Sequence, residues 1–252
     1  MSALRVYRLE AKYELFKLLR LPGFLVPTVG FPLMFYVLFG LILPSGGRDA
    51  AMASSYLLAT YGAFGVIGIA LGALGVSVAV ERGQGWLAVK RASPMPVSAY
   101  FVGKYAMTVL FAALMLAILA TLGIAFGHVR LGSHWLPLIA VLLLGGVPFC
   151  ALGLAIGYLA GPNSAAAIVN GIYLPMAFLS GLFIPATMLP RVLQRVAPAL
   201  PPYHLGQLAL KAAGVLPATD AWVNAAALAA FAVAFSALAV MAYRRDEGKT
   251  YG

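Results

Sequence analysis

The residues that could do chemistry in this sequence are few and scattered. Ser180 stands beside Gly181 in an apolar stretch, where a hydroxyl could serve as a membrane-embedded nucleophile. Such a serine needs a base within hydrogen-bond reach. No histidine falls within a later apolar span, and Phe178 holds the place where a glycine should stand two residues before the serine. Gly248-Lys249-Thr250 has the ending of a phosphate-binding loop, whose backbone N–H groups and lysine cradle phosphates. That loop needs a glycine five positions before its second one, and Tyr243 is there instead. The histidines His128, His134 and His204 form no His-Glu-x-x-His zinc pair. Cys150, the single cysteine, has no partner for a disulfide or a thiolate metal site. No catalytic residue, metal or cofactor is expected on this chain.

The elements that carry these residues are apolar. The chain has 252 residues, 63% hydrophobic and 10% charged, against about 25% charged in a soluble domain. Most of its surface must therefore face lipid. The net charge is +10. The basic residues sit in short segments between apolar runs and not on one wetted face, which points to anchoring at a membrane surface and not to nucleic acid.

Runs free of Asp, Glu, Lys and Arg cover 21–47, 50–80, 105–129, 131–190 and 221–243. A bilayer crossing takes roughly 20 residues. The run 131–190 fits two crossings, divided at Gly161-Pro162-Asn163. An all-α integral membrane protein is expected, with six spans near 23–43, 56–80, 102–127, 136–160, 164–184 and 221–243. Residues 1–22 read as an interfacial helix and 23–252 as a single transmembrane domain. Within it lie a cytosolic loop at 81–98 and a proline-broken region at 185–220, expected to dip into the outer face as short helices. Seven charges before the first run, and the length of that run, speak against a cleaved signal peptide.

Orientation follows the basic residues of the short loops. Arg5, Arg8, Lys12, Lys17, Arg20, Arg82, Lys90, Arg91, Lys104, Arg244, Arg245 and Lys249 fall on the side of the termini. Arg48, Arg130, Arg191, Arg195 and Lys211 fall on the other. Both termini are thus expected in the cytoplasm. The spans are read as free of charged side chains, which disfavours a proton pump and places the energy source on another chain. The N-terminal segment shows two apolar stripes, one through Leu4, Tyr7, Ala11, Leu15 and Leu18 and one through Val6, Leu9, Tyr13 and Phe16, as in a helix touching two surfaces. Gly65, Gly68, Gly72 and Gly75 share a face of the second span, and Gly146, Gly153, Gly157 and Gly161 share one of the fourth. Such faces allow close helix approach, within one chain or at a dimer seam.

Two stretches carry a family resemblance. One is Glu81-Arg82 with Gly85, then Pro94 and Pro96, leading into Gly103-Lys104. The other is Leu179-Ser180-Gly181-Leu182-Phe183-Ile184-Pro185, followed by Leu189-Pro190, Leu193-Gln194, Leu200-Pro201 and His204. Together with the six spans they resemble the permease subunits of type-2 ATP-binding-cassette (ABC) exporters. The likeness covers nearly the whole chain. It implies that Glu81, Arg82, Gly85, Trp86 and Leu87 form a coupling helix seated on an ATPase. It further implies two ATPase subunits, which hold ATP and Mg, a second permease copy forming a homodimer, and a bacterial inner membrane location. Gly85 is followed by Trp86 where relatives commonly place a small hydroxyl residue, which leaves the detailed contacts of the coupling helix open.

A path for cargo needs large side chains and a few polar groups. Phe31, Phe35 and Phe39 recur at four-residue spacing on the first span, and Asn170 and Tyr173 share a side of the fifth. Spans one, two and five are therefore expected to line a central cavity for a lipophilic or amphipathic cargo. The other reading is that the phenylalanines face lipid and Asn170 bonds a neighbouring helix. An ion-coupled or facilitative carrier remains the alternative function, and a non-transport membrane subunit a third.

Overall fold

The computed structural model of the protein describes the backbone of residues 3–19, 22–43, 47–92 and 95–250. Pro94, and the side chains of Leu4, Arg20, Arg48, Arg91 and Lys249 that enter the readings above, lie outside the described residues. Among the described residues there is helix and no strand. In chain order the helices are α1 (Ala3–Leu19), α2 (Pro22–Phe35), α3 (Gly47–Leu71), α4 (Ser77–Gly83), α5 (Trp86–Ala92) and α6 (Val97–Ala125). They continue with α7 (Trp135–Leu144), α8 (Val147–Leu159), α9 (Ala165–Leu179), α10 (Arg191–Val196), α11 (Pro201–Ala212) and α12 (Ala221–Thr250). Among the described residues, two π-helical stretches interrupt the regular geometry. Tyr36–Ile42 prolongs α2, and Gly72–Val76 joins α3 to α4 without a break.

Among the described residues, four stretches are long and apolar enough to cross a membrane: Ala50–Gly83, Ser98–Ala125, Gly132–Leu159 and Ala221–Asp246. The first and fifth expected spans appear as the shorter apolar helices Thr28–Ile42 and Ala165–Leu179. The third stretch is broken at Gly145-Gly146, so the expected fourth span is built from α7 and α8. Region 185–220 forms short helices, as its prolines require. Gly248-Lys249-Thr250 lies in the continuous backbone of α12, with no loop around it.

The helix formed by α3, the second π-helical stretch and α4 is the axis of the molecule. Of its most apolar window, 89% is buried inside the chain, against 17% for α12. Small side chains make this possible. A Cβ added at Gly157 would stand 2.8 Å from the carbonyl oxygen of Leu74 and 3.0 Å from that of Gly75. One added at Gly153 would meet the carbonyl oxygen of Ala70 at 3.1 Å. The glycines of α8 thus let its backbone rest on the π-helical stretch of the central helix, inside one chain. Gly103 does the same for α1, which crosses α6 with Glu10 and Ala11 against that glycine.

One expectation is corrected. The spans are not free of charge: Ser98–Ala125 contains Lys104, and Ala50–Gly83 ends in Glu81 and Arg82. Helix α6 begins at Val97, which places Lys104 two turns inside it and leaves it 1% exposed. The burial is tolerated because acidic partners from two other helices surround the ammonium.

Candidate functional site

Lys104 is the hub of a buried network. Its Nζ donates to Glu14 Oε1 at 2.7 Å, Glu81 Oε1 at 2.9 Å and Ser77 Oγ at 2.9 Å. Tyr100 O–H donates to the other oxygen of Glu81 at 2.7 Å, and Ser77 O–H donates to Glu81 Oε1 at 3.2 Å. Lys17 joins from α1, donating to Ser77 Oγ at 2.8 Å and forming ion pairs with Glu14 and Glu81. Two carboxylates and two amino groups are thus gathered in one network, and three helices, α1, α4 and α6, are tied at one point. Burial pushes the Glu14 carboxyl up, but the ammonium groups of Lys104 and Lys17 outweigh this and hold it below its ordinary value. Burial, then the neighbouring Lys104 ammonium, pulls Lys17 down to about 7.

The chain leaves this network through a tight turn. Glu81 faces inward and is 4% exposed. Arg82 turns the other way, donating to the carbonyls of Tyr158 and Ala160 at the end of α8 and pairing with Asp246 of α12 at 3.2 Å. This closes the otherwise unsatisfied end of α8 with a cation. Gly85 adopts φ +78°, a left-handed conformation that favours glycine, and reverses the chain into α5. On α5, Leu87 is buried with Val78, Tyr100, Tyr158 and Ala242, while Lys90 pairs with Glu10 and covers the Tyr100 ring. Trp86 and Val89 point away, 56% and 61% exposed. Of the five residues assigned to the coupling helix, the structure turns Glu81, Arg82 and Leu87 into the protein and presents Trp86 outward.

Beside the network lies a cavity of about 520 Å³. Phe31 and Pro32 of α2, Phe64 and Gly68 of α3, and Val169, Asn170, Tyr173 and Leu174 of α9 form its apolar wall. Lys17 and Ser77 also line it, so cavity and network share two residues. Its size falls within the ~300–1,000 Å³ of small-molecule sites. Helices from the first, second and fifth expected spans meet here, joined by α1, which the sequence reading did not include. Phe31, Asn170 and Tyr173 reach the cavity. Tyr173 O–H donates to the Phe64 carbonyl at 2.5 Å and its ring stacks on Phe64 at 4.8 Å. Asn170 makes no side-chain hydrogen bond among the described residues. Phe35 and Phe39 do not line the cavity. Phe35 packs into a cluster with Tyr61, Phe64 and Phe183, and Phe39 is 39% exposed.

The family described as ABC-2 type transporter matches residues 6–213. The chain belongs to the ABC-2 type transporter family. It is also similar to the protein named "Putative transport permease YvfS" of Bacillus subtilis (strain 168), 27% identical over 249 residues, covering 97% of this chain and 99% of that relative. Family and relative together make this an ABC-2 permease subunit, a multi-pass membrane component of a transporter. The matched region runs from α1 to the end of α11 and holds both the network and the cavity of this ABC-2 permease.

The second stretch of family resemblance proves structural in its contacts. Gly181 takes φ +77° against Ala186, and Gln194 donates to the carbonyls of Thr187 and Leu189 at 3.1 and 2.7 Å. His204 bridges Asn224 Oδ1 at 2.8 Å and the Pro198 carbonyl at 2.9 Å, fastening α11 to the start of α12. Ser180 Oγ is buried with no hydrogen-bond partner among the described residues. No group of three metal-ligating side chains occurs among the described residues. Sequence reasoning missed Glu14, Lys17, Ser77 and Lys104. The signal available was Lys104 itself, a lone cation at the head of an apolar run.

Proposed function

We propose that this ABC-2 permease subunit is the membrane-spanning part of an exporter driven by ATP hydrolysis on a separate ATPase chain. In this reading the chain crosses a bacterial inner membrane six times with both termini in the cytoplasm. Two permease copies form a homodimer and two ATPase subunits, holding ATP and Mg, sit beneath them. The cargo is a lipophilic or amphipathic molecule, held by Phe31, Asn170 and Tyr173.

The observation that carries the reading is the construction of α5. Leu87 and Lys90 fix it to the bundle on one side, and Trp86 and Val89 stand free on the other. An aromatic anchor on a fixed support is what a partner surface can grip. Force applied to α5 passes through the Gly85 turn to Glu81, from Glu81 to Lys104 and Lys17, and so to the cavity. The coupling role of Glu81 and Arg82 is then mechanical, through the network and through α8, while Trp86 makes the contact.

The ion-coupled carrier gains one feature from the structure, the buried ionisable cluster around Lys104. Membership of the ABC-2 family weighs against it. Purification from the native membrane separates the two readings. An ATPase that co-purifies, whose cargo-stimulated hydrolysis falls severalfold in Trp86→Ala with folding unchanged, supports the exporter. Cargo transport by the reconstituted chain alone, driven by an ion gradient, overturns it.

A further inference from the structure

Helix α1 sorts its charges by side. Its acids turn inward: Glu10 pairs with Lys90, and Glu14 with Lys104 and Lys17. Tyr7 is tied the same way, 2.8 Å from Ser98 at the head of α6. Three cations are left on the outer side, where Arg5, Arg8 and Lys12 are all exposed. At about 100° per residue these three share one arc of the helix, and Phe16 and Tyr13 continue that arc on its far flank. Tyr13 is 66% exposed, Phe16 45% and Leu19 53%, and the Lys12 ammonium lies 5.8 Å from the Phe16 ring centre. The outer surface of α1 is thus a basic strip bordered by an aromatic one. It stands immediately before α2, the first apolar helix, which in the proposed topology puts it at the face of the membrane.

Turning both acids inward while exposing all three of these cations has no use in holding α1 to the bundle, since Glu10, Glu14, Lys17 and Tyr7 already do that. We propose that the outer face of α1 binds the headgroups of anionic phospholipids, with Arg5, Arg8 and Lys12 on the phosphates and Phe16 and Tyr13 at the acyl boundary. Charge complementarity selects this occupant. A basic strip flanked by aromatic rings matches an anionic leaflet, whose surface potential favours each nearby Lys or Arg about fivefold. Because Glu14 and Lys17 belong to the same helix, lipid bound on one side of α1 bears on the network and cavity on the other.

The test places a reporter on the strip. Phe16→Trp is made in the full chain, reconstituted with brominated phosphatidylglycerol or brominated phosphatidylcholine. Fluorescence quenching is read as the difference from the parent, which carries Trp86, Trp135 and Trp222. The expected result is severalfold stronger quenching by the brominated phosphatidylglycerol, weakened by high salt. The preference is lost in Arg5→Gln/Arg8→Gln/Lys12→Gln and kept in Arg5→Lys/Arg8→Lys, which preserves charge. Equal quenching by the two lipids overturns the proposal, as does a preference that survives the triple change. Absence of quenching by either lipid also overturns it, since the face would then be covered by protein.

Discussion

Lys104 Nζ lies 2.9 Å from Oε1 of Glu81, joining the first turns of α6 to the last turn of α4, the helix that leads into the turn before α5. Both side chains are almost fully enclosed. Removing Lys104 leaves the buried carboxylates of Glu14 and Glu81 with Lys17 as their one remaining cation in the network, an imbalance of the kind that costs about 3–5 kcal/mol. Lys104→Met should lower stability by that amount in a thermal or detergent unfolding assay. Adding Glu81→Gln to it should recover part of the loss, because the two sites are coupled. Strictly additive losses would show that the two groups do not share an interaction.

Lys17 opens onto the cavity and titrates near 7, pulled down first by burial and then by Lys104. Its folded value lies below the ordinary lysine value of 10.5. The amine is therefore largely unprotonated, and nucleophilic, from just above neutrality. Acylation followed by mass spectrometry should show Lys17 labelling rise through about pH 7, while solvent lysines rise some three units higher. A Lys17 profile that matches those of ordinary lysines would count against this protonation state.

Gly157 and Gly171 differ in what a methyl group would meet. At Gly157 it runs into backbone carbonyls of the central helix, and at Gly171 it finds nothing within 4 Å. Gly157→Ala should cost about 1–3 kcal/mol through overpacking. Gly171→Ala should be neutral or stabilising by up to about 1 kcal/mol, from helix propensity alone. The pair is read by the same unfolding assay, and similar effects at the two sites would contradict the packing described.

Orientation is open to direct labelling. Arg130 and Gln84 are both exposed, and native Cys150 is buried. Arg130→Cys should react with an impermeant thiol reagent added to intact cells, and Gln84→Cys only after the membrane is opened. The reverse pattern would invert the topology read from the basic residues.

Whatever depends on composition and local spacing was legible in the residues alone. Long uncharged runs made membrane helices inevitable, prolines broke region 185–220 into short helices, and glycines at three- and four-residue intervals marked where α8 and the central helix touch. Helical spacing also placed Asn170 and Tyr173 on the side of α9 that faces the cavity. The tertiary structure decided which polar groups meet. A run counted from residue 105 hides Lys104, because its charge is acceptable only beside Glu14 and Glu81, which lie far off in the chain. The four-residue spacing of Phe31, Phe35 and Phe39 does keep the three rings in one line, with successive centres 6.2 Å apart, but only Phe31 reaches the cavity, because Phe35 is taken up by Tyr61, Phe64 and Phe183 from elsewhere in the chain. In α5, two turns of helix hold no periodic signal strong enough to tell Trp86 from Leu87. That choice was made by the pocket of Val78, Tyr100, Tyr158 and Ala242, assembled from four helices, which buries Leu87 and leaves Trp86 outside.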